Sequence, residues 1–169
     1  MRLFVAVWPP AEVVNALAAL DRPARSGLRW TTPDQWHVTV RFLGSMVDAE
    51  EGKGALGHLE AVAAPSQVLA SAGPAVTRLG PSILCLPVAG LETVAAAVVA
   101  ITADIGERPP ERPFRGHLTL ARAKRGVDLR PLTGPAFSAT WPVNEVTLVA
   151  SVTGPDRARY QVVATYPIS

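Results

Sequence analysis

The chain has little cysteine, histidine and charge, and it has no apolar run long enough to cross a membrane. Cys85 is the only cysteine, which excludes an internal disulfide and a thiolate metal cluster. It lies in the apolar run 83–86 and is expected to be a small core residue. The apolar run 3–8 is too short for a membrane span, and no small-residue cleavage site follows it. We therefore expect a cytoplasmic protein.

The overall composition is that of a folded globular protein with no marked net charge. Hydrophobic residues make up 49% of the 169 residues and charged residues only 18%, which excludes a disordered chain. The formal net charge of +2 predicts no partner. Segment 107–130, however, holds seven basic residues and three acidic ones. This segment favours either an anionic ligand near His117 or a solvated, arginine-rich loop, and charge alone does not separate the two.

The same order of elements occurs twice along the chain. Each copy has an apolar strand, an amphipathic helix, a proline-containing loop and a second strand. The predicted elements are 3–8, 11–22 and 37–43, then 83–88, 91–105 and 117–121. The starts of corresponding elements are separated by 80 positions. Such a repeat predicts two similar lobes related by a pseudo-twofold axis.

The expected fold class is α/β (α+β), with two pseudo-symmetric lobes around a central cleft. Each lobe should have an antiparallel-rich sheet with flanking helices, and residues 1–169 should form one domain. A further helix is predicted over 48–64, where Asp48 and Glu51 have capping spacing. The remaining predicted strands are 137–141, 145–151 and 160–166, with a hairpin turn at 154–156.

Two short motifs, HVTV at 37–40 and HLTL at 117–120, occupy corresponding positions in the two halves. Because side chains alternate along a strand, the aliphatic residues should face the core. His37 and Thr39 should then share the other face, as should His117 and Thr119. One such histidine would more often be a structural residue of a sheet. A matched pair at the repeat offset instead indicates one site, built across a cleft.

Two histidines and two threonines suit cleavage of a phosphoester without a metal. Imidazole has an unperturbed pKa near neutrality, so one ring can accept a proton while the other donates one. In-line displacement at phosphorus needs a base and an acid on opposite sides of the phosphate. The hydroxyl groups of Thr39 and Thr119 can bind its non-bridging oxygens.

The fifth position after each histidine differs between the halves, with Phe42 in one and Arg122 in the other. Strict alternation sends both side chains to the core, which suits Phe42 and does not suit Arg122. A bulge or the end of the strand would turn Arg122 toward the phosphate. Phosphate contact and simple surface exposure both remain open for Arg122.

Several segments resemble the two-histidine (2H) phosphoesterase superfamily, and in particular its LigT-like RNA 2',3'-cyclic phosphodiesterases. The similar segments are 1–7 (MRLFVAV), 28–30 (LRW), 37–44 (HVTVRFLG), 112–122 (RPFRGHLTLAR), 154–155 (GP) and 159–160 (RY). The resemblance runs nearly from end to end. It implies a two-lobed fold whose central cleft holds both motifs, and hydrolysis of a 2',3'-cyclic phosphate to a 2'-phosphomonoester without metal or cofactor.

The resemblance also implies a role for each site residue. His37 would donate a proton to the leaving 3' oxygen, and His117 would be the base that activates water. Thr39 and Thr119 would bind the phosphate together with Arg122, and Phe42 would lie against the base or ribose. Two positions depart from the family pattern. Gly116 stands where relatives usually have proline, which would loosen that loop, and Cys85 stands where they often have tryptophan, which would alter nucleotide contacts.

Other functions remain as alternatives. The reverse reaction would join a cyclic phosphate end to a 5'-hydroxyl as a 2',5' linkage. A binding module for RNA or nucleotides would use the same cleft without turnover, although it would not need an acid–base pair. The sequence has no acidic residues at ligand spacing near the histidines, as a metal hydrolase would need, and no Gly-x-Ser-x-Gly turn, as a serine hydrolase would need. His58 has no assigned role. The expected partners are RNA 3' ends or small cyclic nucleotides, with no membrane, and the expected state is a monomer.

Overall fold

The computed structural model describes residues 1–45, 48–57 and 67–168. The strands are β1 (Arg2–Val7), β2 (Leu28–Trp30), β3 (Val38–Gly44), β4 (Val68–Ala72), β5 (Thr77–Leu79), β6 (Ile83–Ala89), β7 (His117–Ala123), β8 (Ala139–Val143), β9 (Glu145–Thr153) and β10 (Ala158–Pro167). The helices are α1 (Ala11–Ala18), α2 (Ala49–Leu56) and α3 (Glu92–Ile101), and short 3-10 turns occupy Pro33–Gln35 and Arg130–Leu132.

The strands of the described part form one curled sheet in which the order is symmetric about its centre. The order is β10-β9-β1-β3-β7-β6-β4-β8, with β2 added beside β7 and β5 beside β6. The two motif strands, β3 and β7, are the central pair, and β1 and β6 flank them in equivalent places. Every pairing among the described strands is antiparallel. The predicted α+β class, with pseudo-symmetric halves and antiparallel sheets, is confirmed.

The helices cover one face of this sheet and form the main core there. Leu3, Val5 and Val7 of β1 belong to this core, whereas the alternate residues Phe4 and Ala6 form a small second cluster on the opposite face. Helix α3 packs against β3. Leu17 of α1, in contrast, lines a small apolar cavity of about 20 Å³ together with residues that include Leu120 of β7 and Val76. Helix α3 therefore supports the motif strand of the other half, and α1 lies on the same side of the sheet, near β7.

Several predicted elements have different bounds in the structure. Helix α1 ends at Ala18, where the N–H groups of Ala19 and Leu20 bond to the carbonyl oxygens of Ala16 and Leu17 and tighten the last turn. Helix α3 ends at Ile101, where the Thr102 hydroxyl donates to the Val98 carbonyl oxygen. Asp48 caps α2 as predicted, but the rest of that predicted helix beyond Gly57, including His58, lies outside the described residues.

The remaining strands are close to their predicted positions, apart from three short ones that were not predicted. The predicted strand 137–141 is found two residues later, as β8. The hairpin between β9 and β10 is confirmed, with the Gly154 N–H donating to the Arg157 carbonyl oxygen. Strands β2, β4 and β5 were missed, since each has five residues or fewer and lacks a strong apolar alternation.

Each motif strand has a bulge at the same place. Ala6 pairs with Thr39 but Val5 pairs with Arg41, so Val40 is an extra residue in β3. In the other half Cys85 pairs with Thr119 but Leu84 pairs with Ala121, which makes Leu120 the extra residue in β7. The two extra residues are 80 positions apart, as the histidines are. Beyond each bulge the alternation of side chains is reversed.

A buried hydrogen-bond network links the segment before the first motif to the bulge of the second. The side chain of Trp36 is 1% exposed, and its Nε1–H donates to the Thr31 hydroxyl at 3.0 Å. That hydroxyl lies 2.8 Å from the carbonyl oxygens of both Thr119 and Leu120. Its single proton serves one of them at a time. Thr31 thus fixes the chain just before His37 against the second motif strand.

No helix among the described residues is long and apolar enough to cross a membrane.

Replacing Thr31 by valine should destabilise the protein by about 1–3 kcal/mol. The shape of the side chain is preserved, but the indole N–H of Trp36 is left buried without an acceptor. Thr31→Ser, the matched control, keeps the hydroxyl and should lose about 1 kcal/mol or less. Urea unfolding monitored by tryptophan fluorescence measures both values. Equal stability of the valine and serine variants would show that the network does not stabilise the fold.

Candidate active site

The two histidines meet at the centre of the sheet because β3 and β7 pair there. Val38 pairs with Leu118 in antiparallel register. Continuing that register by one residue places His37 opposite Thr119 and His117 opposite Thr39. Each histidine is therefore beside its own threonine along the strand and across from the threonine of the other motif. The structure brings all four predicted side chains to one patch of the cleft face.

Both histidines are held by the same local hydrogen bond. Nδ1 of His37 lies 2.8 Å from the Gln35 carbonyl oxygen, and Nδ1 of His117 lies 2.8 Å from that of Arg115. A carbonyl oxygen only accepts, so Nδ1 carries the proton in both rings. In the neutral rings Nε2 is then the basic nitrogen. Nε2 of His37 lies 3.1 Å from the Thr39 hydroxyl, which donates to it.

The residues opposite the two motif threonines are both small. Ala6 pairs with Thr39, and Cys85 pairs with Thr119. Both are buried, at 0% and 2% exposure. Because both side chains are small, they leave space in the cleft between the two histidines. The Cys85 thiol is buried as predicted, and burial raises its pKa to about 11, so it is protonated at neutral pH.

Three aromatic rings enclose His37. Phe4 stacks on the imidazole at a centroid distance of 4.9 Å, and Trp8 lies at 5.1 Å. Tyr160 meets the ring edge-on at 5.1 Å. Tyr160 reaches this position because the start of β10 approaches the segment before His37, where the Gln35 side-chain amide donates to the Ala158 carbonyl oxygen. No aromatic ring of the described residues stacks on His117 in this way.

This enclosure makes the two histidines electrostatically different. Burial is the main cause that lowers the pKa of His37 from 6.5 to about 4. The hydrogen bond to the Gln35 carbonyl raises it in part, and the positive charges of Arg122 and His117 lower it further. His37 is therefore neutral at pH 7 in the protein without ligand.

The bulges place Phe42 and Arg122 on the cleft side of the sheet. Phe42 pairs with Phe4, the ring that stacks on His37, and its side chain is 38% exposed. The pattern-based prediction that Phe42 is a core residue is therefore wrong, because the extra residue Val40 reverses the alternation. Arg122 is exposed and is near His37, as a bulge would require.

The residue that takes the place of Phe42 on the core side is Arg41. Its side chain is 3% exposed, and its guanidinium donates to the carbonyl oxygens of Phe42 at 2.7 Å and Glu107 at 2.5 Å. It also donates to the Ile105 carbonyl oxygen at 3.3 Å. Arg41 thus satisfies backbone groups beyond α3. Ala121 holds the corresponding place in the second half.

Gly116 approaches the backbone of β6 very closely. The Val88 N–H donates to the Gly116 carbonyl oxygen at 2.9 Å. A Cβ at position 116 would lie 2.3 Å from the Val88 carbonyl oxygen. The local backbone before His117 therefore fits glycine and is tied to β6 at this point.

The described residues contain no group of three or more histidine, cysteine, aspartate or glutamate side chains that could hold a metal ion.

The aromatic enclosure of His37 by Phe4, Trp8 and Tyr160 was not predicted from the sequence. Two of these residues lie in segments that resemble the family, MRLFVAV and the final RY. That resemblance was the available signal, since nothing in local periodicity brings β10 over β3.

Comparisons with known proteins agree with this geometry. The profile of the LigT-like phosphoesterase family matches residues 7–70. A phosphoesterase of known crystal structure is 30% identical over 99% of this chain and 98% of its own, with a TM-score of 0.78. E. coli LigT in complex with 3'-AMP is 29% identical over 99% of this chain and 98% of its own, with a TM-score of 0.79.

A Thermus thermophilus protein, TT0787, gives similar values, with 28% identity over 99% of this chain and 98% of its own and a TM-score of 0.78. E. coli LigT has also been crystallised with NADP+, ATP and phosphate. No curated protein sequence matches the chain significantly.

Opening the aromatic enclosure should raise the pKa of His37. In the wild type, NMR titration of the imidazole C–H signals should give a value of about 4. Tyr160→Leu removes the ring edge and admits water, so the pKa should move up toward 6.5 because desolvation is its main cause. Tyr166→Leu, on the same strand and packed against the main core, should leave it unchanged. A wild-type pKa near 6.5 would contradict this account of the enclosure.

Proposed function

Because the chain belongs to the LigT-like 2H phosphoesterase superfamily, we propose that it hydrolyses an RNA-terminal 2',3'-cyclic phosphate to a 2'-phosphomonoester without a metal. The observation that carries this proposal is the pair of histidines. Both present Nε2 on one face of a sheet, and each has Nδ1 fixed by a backbone carbonyl. We also propose that residues 1–169 act as one two-lobed domain, with the cleft as its catalytic site.

His117 accepts a proton from water, and the water oxygen attacks phosphorus. The bond between phosphorus and the 3' oxygen breaks, and the protonated Nε2 of His37 supplies the proton that this oxygen needs. The product carries its phosphate on the 2' oxygen. His117 suits the base role because its side chain is only half-buried and no aromatic ring of the described residues stacks on it.

The hydroxyls of Thr39 and Thr119 donate to the non-bridging oxygens, and Arg122 adds a positive charge to the same group. In the free protein the Thr39 hydroxyl donates its hydrogen bond to Nε2 of His37. It is released for the phosphate once that nitrogen is protonated. Binding of the anion and protonation of His37 are thus coupled in one hydrogen-bond arrangement.

His37 must gain a proton before it can act as the acid. With a pKa of about 4, only about one molecule in a thousand carries this proton at pH 7 in the free protein. A phosphate anion between the two motifs reverses the electrostatic balance, since an opposite charge at this distance raises a histidine pKa by about 1–3 pH units. The substrate itself therefore prepares the acid.

The nucleoside lies against the apolar row on the cleft face. Phe42 pairs with Phe4, Phe4 with Val149, and Val149 with the exposed Val162. Phe42 offers a partly exposed ring on which a base or ribose can pack. E. coli LigT holds 3'-AMP in its crystals, a ligand with the same three parts of base, ribose and phosphate.

Two alternatives use the same residues. Ligation would replace water by a 5'-hydroxyl and yield a 2',5' linkage through the reverse chemistry. A binding module would need the cationic and aromatic contacts but no acid–base pair. The fixed tautomers of both histidines favour catalysis, because a binding site gains little from two basic Nε2 atoms on the same face of the sheet.

An RNA ending in a 2',3'-cyclic phosphate should be converted to the 2'-phosphate in the presence of a chelator. His37→Ala and His117→Ala should each lower the rate by about 10²–10⁴-fold, the usual contribution of a general acid or base. His58→Ala is the matched control, since this histidine is not followed by threonine at the second position. Product analysis by chromatography distinguishes the 2'- from the 3'-phosphate.

Absence of product, or product formation that survives both motif substitutions, would overturn the proposed reaction. A 2',5'-linked product with a 5'-hydroxyl acceptor would favour ligation. Persistent binding without turnover in the wild type would favour the binding module.

Bound 3'-AMP should raise the pKa of His37 above its value in the free protein. The expected rise is about 1–3 pH units, caused by the phosphate charge beside the ring. NMR titration at saturating 3'-AMP measures it, and adenosine, which lacks the phosphate, is the control ligand. An unchanged pKa with 3'-AMP bound would mean that His37 does not contact the phosphate and is not the acid.

A further inference from the structure

Two arginines are paired directly across β2 and β7 at the edge of the candidate site. Arg29 pairs with Arg122, so their side chains leave the same face of the sheet. Like charges directly opposite each other destabilise an antiparallel pair. Neither arginine makes a salt bridge within the described part of the chain. Arg29 has one protein partner there, the Asp156 carbonyl oxygen at 3.2 Å.

The space beside this pair is an open groove of about 440 Å³. Its lining consists of Gly27, Leu28, Arg29, Arg122, Ala123 and Lys124. Three of these six residues are cationic, and none is acidic. Of the acidic residues nearby, Asp156 contacts Arg29 through its backbone carbonyl oxygen, and Asp34 is engaged by Arg157 and the Thr32 hydroxyl. The groove is therefore a concave surface of one charge, the form that binds an anion.

The cations extend away from the two histidines along β7. Arg122 is three residues beyond Thr119, and Lys124 is two residues further, about 7 Å along a strand. Burial raises the pKa of Tyr160, the ring that meets His37 edge-on, and the charges of Arg122 and Arg29 act against this rise, so the row starts beside the histidine site. A single phosphate between the histidines cannot reach Lys124. Only a ligand with a further phosphate uses the whole row.

We propose that the groove lined by Arg29, Arg122 and Lys124 binds the phosphate of the nucleotide that precedes the cyclic end. The substrate class is then an oligoribonucleotide and not a free nucleoside cyclic phosphate. Arg122 lies between the two phosphates, and Arg29 and Lys124 serve the second one. This inference rests on the proposed function, since it assigns the position of the reacting phosphate to the histidine pair.

The test compares two substrates that share the same terminal nucleoside. These are adenosine 2',3'-cyclic phosphate and the dinucleotide ApA with a 2',3'-cyclic phosphate at its 3' end. The measured quantity is the ratio of kcat/KM for the dinucleotide to that for the mononucleotide, which should exceed one in the wild type. Arg29→Gln and Lys124→Gln should each lower this ratio roughly three- to tenfold, since each removes one phosphate contact.

Arg78→Gln is the matched control. Arg78 is exposed on β5 and pairs with the core residue Leu84, so it leaves the sheet on the face opposite Arg122. Its substitution should keep the wild-type ratio. Added salt should also lower this ratio in the wild type. The decrease should be smaller in Arg29→Gln, which has lost one of the phosphate contacts.

A wild-type ratio of one, or a ratio that Arg29→Gln and Lys124→Gln leave unchanged, would overturn the second phosphate site while the hydrolytic function stands. Hydrolysis of neither substrate would instead refute the proposed function. Loss of the ratio in Arg78→Gln as well would mean that the preference comes from overall charge and not from this groove.

Discussion

Val38 and Leu118 pair at the centre of the sheet, and the arrangement of the site depends on this contact. The pairing is antiparallel, so each motif histidine comes to lie across from the threonine of the other motif. A slip of either strand by one residue would turn its histidine and threonine toward the core and its aliphatic residues toward the cleft. Helix α3 resists such a slip, because it packs against β3, the motif strand of the opposite half. Thr31 adds a polar restraint on the same register.

Because of the bulges, both motif strands contribute several side chains to the core and several to the cleft. Before Val40 and Leu120, alternation sends aliphatic side chains inward and the histidine and threonine outward. After the bulge, Phe42 and Arg122 join the outward face, which gives each half one additional cleft residue. The inward place is taken by Ala121 in one half and by Arg41 in the other. The cost of burying Arg41 is offset by its bonds to the carbonyl oxygens of Phe42, Ile105 and Glu107.

Sequence periodicity predicted the features that depend on a few neighbouring residues. The repeat, the motif strands, the three helices and the antiparallel-rich α+β class follow from alternation, helical spacing and turn residues. Phe42 was misassigned from pattern because a bulge is a property of two strands, and one strand alone gives no sign of it. Strands β2, β4 and β5 were missed because they are short and held by their partners. The enclosure of His37 requires β10 to reach β3, and such a long-range contact leaves no local pattern.

The two motifs share one sequence pattern but have different surroundings. Local sequence fixes the shared part, since Nδ1 of each histidine bonds to the carbonyl two residues earlier. Distant segments supply the difference. Phe4, Trp8 and Tyr160 close over His37 and keep it neutral, whereas β2 adds a second arginine beside Arg122 in the other half. A pair of identical imidazoles would have no reason to divide the roles of acid and base. Under the proposed function the enclosure provides that reason, because burial lowers the pKa of His37 and this ring needs the negative charge of the substrate to gain its proton.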